Sequence, residues 1–99
     1  MARNVCEEVS LCETLMQAKS DISGIRMLVR GTQPGVQFYT SQFLNAQNGK
    51  GGVSYPPQSA FCLETQHFPD SPNHKNFPSA ELSPEDQYEQ IATFQFTAE

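Results

Sequence analysis

Tryptophan is absent, and cations are scarce: 6 Lys or Arg stand against 11 Asp or Glu in 99 residues. The net charge of −5 argues against nucleic acid and anionic membrane surfaces as partners, because both demand clustered Lys and Arg. The cations (Arg3, Lys19, Arg26, Arg30, Lys50, Lys75) are also scattered, so no basic stripe hides behind the total. No run approaches the ~20 apolar residues of a membrane-spanning helix. The N-terminus, M-A-R-N-V-C-E-E-V-S, places acidic residues where a secretory leader requires an apolar stretch. These absences predict a soluble, cytoplasmic chain of one domain at most. Three cysteines (Cys6, Cys12, Cys62) are an odd number without CxxC spacing, which fits reduced thiols. Cys62, His67 and His74 match no structural zinc spacing and are read as a buried cysteine and two loop histidines, with no metal.

What is present divides at about residue 19. Residues 4–18 carry apolar side chains at Val5, Val9, Cys12 and Met16, the stripe of a short amphipathic helix. Asn4 and Glu7 suit a capping pair at its start. From residue 20 onward the pattern is short strands between turns rich in proline and glycine, and the reading is all-β. S-D-I-S-G at residues 20–24 is turn chemistry, and residues 25–29 form an apolar run of strand length. Pro34-Gly35 suits the centre of a type II turn.

Two strands carry the chemistry. In V-Q-F-Y-T at residues 36–40, Val36, Phe38 and Thr40 share one face, while Gln37 and Tyr39 share the other. An amide beside an aromatic ring suits a sugar site, although a solvated face would look the same. Residues 59–66 are the strongest strand, with Phe61, Leu63 and Thr65 on one side and Cys62, Glu64 and Gln66 on the other. Glu64 thus belongs to a polar face. The following segment, residues 67–83, is a long connection punctuated by Pro69, Pro72 and Pro78, with Phe68 and Phe77 as anchors. Residues 88–96 form a closing strand, with Tyr88, Ala92, Phe94 and Phe96 on one face.

T-Q-P-G-V-Q-F-Y-T and F-C-L-E-T-Q-H-F-P-D-S-P-N, linked by G-K-G-G-V-S-Y, strongly resemble the C-terminal part of the aldose 1-epimerase (galactose mutarotase) family. N-F-P-S-A-E-L-S-P-E-D-Q-Y resembles the family's approach to its last strand, with Pro84-Glu85-Asp86 where Pro-Gly-Glu is usual. The resemblance implies a partial β-sandwich, the C-terminal section of a mutarotase-like domain over residues 20–99, preceded by a divergent segment over residues 1–19. It implies Glu64 as the catalytic general base and Gln37 as a substrate-binding residue for a hexose such as galactose or glucose. Anomer interconversion by acid–base catalysis needs no metal or organic cofactor.

The family's catalytic acid is a His in an Asn-His-x-x-(Tyr/Phe)-Asn-Leu segment, and further sugar contacts come from upstream Arg, His and Asp. None of those segments is in this sequence, and His67 and His74 lie in the wrong motif to replace the acid. The expectation is an isomerase fragment, inactive or weak as this chain alone, with a truncated or frameshifted beginning. The alternatives are a non-catalytic carbohydrate-binding module and an inactive remnant. A slice of a sandwich also exposes strand edges, which invite self-association.

Overall fold

The structure, a computed structural model, describes residues 12–98. Five strands form two antiparallel sheets: β1 (Glu13–Lys19), β2 (Ile25–Gly31), β3 (Gly35–Tyr39), β4 (Cys62–Gln66) and β5 (Ala92–Ala98). One sheet has the order β1-β2-β5, and the other is the pair β3-β4. This is the partial all-β, mutarotase-like arrangement that the sequence implies.

The expected helix over residues 4–18 is not formed where it can be seen. Residues 13–18 lie in β1, paired with β2 from Glu13↔Gly31 to Lys19↔Arg26; residues 4–11 lie outside the described residues. The reason is a bulge between Thr14 and Met16. The bulge inserts Leu15 as an extra residue and shifts the phase of the strand. Leu15, Met16 and Ala18 are then all half-buried, so β1 lacks the strict alternation by which a strand is legible in sequence. The turn that follows is as expected. The Ser23 amide bonds to Ser20 Oγ at 3.2 Å, the Gly24 amide bonds to the Ser20 carbonyl at 2.9 Å, and Gly24 has a φ of 71°.

Among the described residues, β2 is the one strand with a ladder on both sides. Its Val29 sits between Met16 of β1 and Phe94 of β5 and is fully buried, the sole hydrophobic residue of the described chain that is. A central strand flanked on both edges is where burial is expected first. Elsewhere large apolar side chains remain exposed, among them Phe38, Phe61, Phe94 and Phe96.

Other boundaries shift for local reasons. The closing strand begins at Ala92 rather than residue 88, because the residues before it spend their polar groups elsewhere: Ile91 pairs with Thr32 in the β2–β3 loop and the Gln90 side chain with Thr65 of β4. β4 starts at Cys62 rather than residue 59. Ser41, at a φ of 53°, turns the partner chain away, and its hydroxyl takes over the backbone groups of Ala60. Gly35 is not the positive-φ centre of a turn but the first residue of β3. Its missing Cβ makes room for Phe68, whose Cε1 would stand only 2.8 Å from one.

Candidate functional site

The antiparallel register of β3 and β4 runs Gly35↔Gln66, Val36↔Thr65, Gln37↔Glu64, Phe38↔Leu63 and Tyr39↔Cys62. Residues directly opposite one another share a face. The register therefore puts Gln37, Glu64, Tyr39, Cys62 and Gln66 together, and Val36, Thr65, Phe38 and Leu63 on the other side. Both faces agree with the alternation read from the sequence. Gln37 and Glu64, 27 positions apart in numbering, become immediate neighbours, with Cβ atoms ~5 Å apart as in any such pair.

Both side chains are exposed. The Glu64 carboxylate forms no hydrogen bond or ion pair among the described residues. The Gln37 amide makes one long bond, Nε2 to the Phe38 carbonyl at 3.4 Å. A carboxylate and an amide on one face, largely uncommitted, can accept and donate to hydroxyls of a bound molecule. Tyr39 flanks the pair on one side. On the other, the Phe68 ring lies against Gly35, and Gly35 shares its face with Gln37, so Phe68 walls the same surface. The long connection is indeed held by its phenylalanines: Phe68 meets Phe77 edge-on at 5.2 Å, and His74 stacks on Phe77 at 4.7 Å.

The pair sits on an open surface, and the clefts lie elsewhere, two of them of comparable size. One, of about 450 Å³, runs beside Ser71, His74, Phe77 and Glu81. The other, of about 480 Å³, runs between Gln33, His67, Tyr88 and Glu89. Size alone does not select the site; the convergence of a carboxylate, an amide and two aromatic rings does. His67 and His74 line those other clefts. His74 is taken up by Asp70, Nε2 to Oδ2 at 3.0 Å. Cys12 and Cys62 are free thiols, Cys62 exposed rather than buried as expected because its side of β4 is the open polar face, and the described residues hold no group of three or more His, Cys, Asp or Glu suited to a metal ion. No helix among the described residues is long and apolar enough to cross a membrane.

Sequence reading missed the support behind the site. Gln33, Tyr88 and Gln90 form a side-chain chain onto Thr65 of β4. Its directly bonded members are up to 55 positions apart, and no local pattern announces it. Phe68 as a wall was equally hidden, although a glycine opening a strand was a signal of close approach.

Two antiparallel sheets with a carboxylate and an amide paired on one open face define a partial all-β fold of the mutarotase type. The chain belongs to the aldose 1-epimerase family, whose model matches residues 12–95. The match thus starts ahead of β1. The chain is 47% identical to galactose mutarotase of Bos taurus over 76 residues, covering 76% of this chain and 22% of that protein. It is 44% identical to galactose mutarotase of Mus musculus over 92 residues, 92% of this chain and 26% of that one. Aldose 1-epimerase of Escherichia coli (strain K12) is 34% identical over 77 residues. The chain therefore spans about a quarter or less of the length of these relatives.

Proposed function

We propose that the Gln37–Glu64 face is the carbohydrate-facing, base-bearing part of an aldose 1-epimerase site. The observation that carries the reading is the direct pairing Gln37↔Glu64, at the two positions where this chain resembles the family's sugar-contact and general-base motifs. The substrate class is an aldohexose such as galactose or glucose, and the unpaired thiols suit a reducing cytosol.

The chemistry is a proton relay around C1 of the sugar. Glu64 as carboxylate takes the proton of the C1 hydroxyl. As the C1–O bond becomes a carbonyl, the bond from C1 to the ring oxygen breaks, and its electron pair is protonated there by a separate acid. Rotation about C1–C2 presents the other aldehyde face, and closure returns both protons. Gln37 hydrogen-bonds the sugar so that the C1 hydroxyl lies within reach of Glu64. The acid has no counterpart in the motifs of this chain. A missing acid costs about 10²–10⁴ in rate, so this chain by itself binds hexose weakly and turns it over slowly or not at all.

Polarimetry of fresh α-glucose and amide-resolved titration with galactose, on the wild-type chain and Glu64→Gln, test this. The expected result is galactose-dependent shifts centred on Gln37, Tyr39 and Glu64, with any acceleration over buffer abolished in Glu64→Gln. Curves equal to buffer together with unmoved resonances at those residues would discard it. Shifts without turnover would assign the face to carbohydrate binding alone.

The described strands favour self-association as well. Apart from β2, every strand pairs on one side only, and free edges beside exposed phenylalanines are ready templates for another strand. Sedimentation velocity should show a concentration-dependent rise in mass; a constant monomer mass rejects self-association.

A further inference from the structure

The polar chain behind β4 ends on the residue next to Glu64. Gln33 is 6% exposed, and its Nε2 donates to Tyr88 Oη at 3.2 Å. Tyr88 Oη donates onward to Gln90 Oε1 at 2.8 Å. Gln90 Nε2 then donates twice to Thr65, to the carbonyl at 3.0 Å and to Oγ1 at 2.7 Å. Tyr88 and Gln90 each accept at one end and donate at the other, so the bonds through them polarise one another in a single direction, whereas Gln33 Oε1, at the head of the chain, is buried without a partner among the described residues. The start of the chain is tied down too. The Thr32 amide donates to the Ile91 carbonyl at 3.1 Å, and the Ile91 amide donates to Thr32 Oγ1 at 3.1 Å. The Gln33–Tyr88 contact thus bridges two segments already joined at their neighbours, and the Gln90–Thr65 contact ties β4 to them.

Among the described strands β4 pairs with β3 alone, so no second described ladder holds Thr65 on its other side. The double grip of Gln90 replaces the missing ladder at the Thr65 carbonyl, one residue beyond Glu64. We propose that Gln33, Tyr88 and Gln90 are positioning residues that brace β4 through Thr65 and so fix the backbone from which Glu64 is presented. They touch no substrate. The inference rests on the reading of Glu64 as the base for its functional meaning, but its physical content is the order of the β4 backbone.

Thr65 offers a discriminating pair of substitutions, because its two γ substituents serve different ends. Oγ1 accepts from Gln90, while Cγ2 packs toward Gly31, 3.6 Å from where a Cβ would stand. Thr65→Ser keeps the acceptor and loses the methyl; Thr65→Val keeps the methyl and loses the acceptor. Backbone ¹⁵N relaxation on the full chain reads the outcome without any sugar. In the wild type, order parameters at Glu64 and Thr65 should be near ~0.85, as for rigid backbone. Thr65→Val, Tyr88→Phe and Gln90→Glu should each lower them below ~0.6, the flexible range, with Met27 and Leu28 of β2 unchanged. Thr65→Ser should retain the wild-type values. The reverse order, with Ser loosened and Val intact, would assign Thr65 to packing and overturn the proposal. So would a wild-type chain already flexible at Glu64, or a Tyr88→Phe variant as ordered as the wild type. If Tyr88→Phe unfolds the whole chain, the Thr65 pair decides. Polarimetry of Glu64→Gln tests the base assignment separately, so failure of one leaves the other readable.

Discussion

Gln37 of β3 and Glu64 of β4 are direct cross-strand partners, with the amide and the carboxylate leaving the same exposed face of a two-stranded sheet. The relation is set by register. A slip of one residue would send Glu64 to the side of Val36 and Phe38. The features that resist such a slip, Phe68 against Gly35 at one end and Ser41 with Ala60 at the other, therefore protect the site.

Because both side chains are exposed and lightly bonded, they should be separable from stability. Glu64→Gln and Gln37→Ala should each change unfolding free energy by no more than about 0.5 kcal/mol. Gln37→Ala should nonetheless weaken galactose binding about 2- to 10-fold, the worth of one hydrogen bond of about 0.5–1.5 kcal/mol. Chemical denaturation and galactose titration of the same samples check this. Equal loss in both measurements would mean that the pair is structural.

At Gly35 an added methyl meets the Phe68 ring, with Cε1 at 2.8 Å and Cδ1 at 3.0 Å. Gly35→Ala should cost about 1–3 kcal/mol, as overpacking does. Adding Phe68→Leu should recover most of it. Urea midpoints of the single and double variants give the answer. An unchanged midpoint in Gly35→Ala would show that the ring swings aside freely.

Ser41 closes the loop between β3 and β4. Buried at 3% exposure, it donates through Oγ to the Ala60 carbonyl at 2.6 Å and accepts from the Ala60 amide at 3.3 Å. Its carbonyl also accepts from the Leu44 and Gln58 amides. Both Ser41→Ala and Ser41→Gly lose the hydroxyl, about 1–3 kcal/mol where buried partners are left unpaired. At a φ of 53° glycine is the easier fit, so the alanine variant should be the less stable by about 1 kcal/mol. Thermal unfolding of the two variants side by side would expose a reversed order.

Val29 and Phe96 sit on one sheet under opposite conditions, with exposures of 0% and 65%. Val29→Ala should destabilise by about 2 kcal/mol, from two buried carbons at about 0.8 kcal/mol each plus a small cavity. Phe96→Ala should cost under about 1 kcal/mol in dilute monomer, despite removing the larger side chain. Denaturation at micromolar concentration distinguishes them. If Phe96→Ala proved the more damaging, its ring would be buried in solution, as self-association through that surface requires.

The residues alone determined a good deal here. Alternation placed Gln37 and Glu64 on the polar faces of two separate strands, because a strand's period of two is a local property. The motifs around them carried the family, and turn chemistry at Ser20–Gly24 needed only its own residues. What the tertiary structure decided was every relation between distant segments. Residues 13–18 became a strand because β2 supplied a ladder and a bulge absorbed Leu15, which local spacing cannot express. Gly35 opened a strand instead of centring a turn because Phe68, from beyond the other strand, needed the space. Gln37 met Glu64, Tyr88 reached Gln33 and Gln90 reached Thr65 only once register and loop closure had brought them together. Each of those contacts draws its free energy from partners far away in the chain, so no window of sequence contains it.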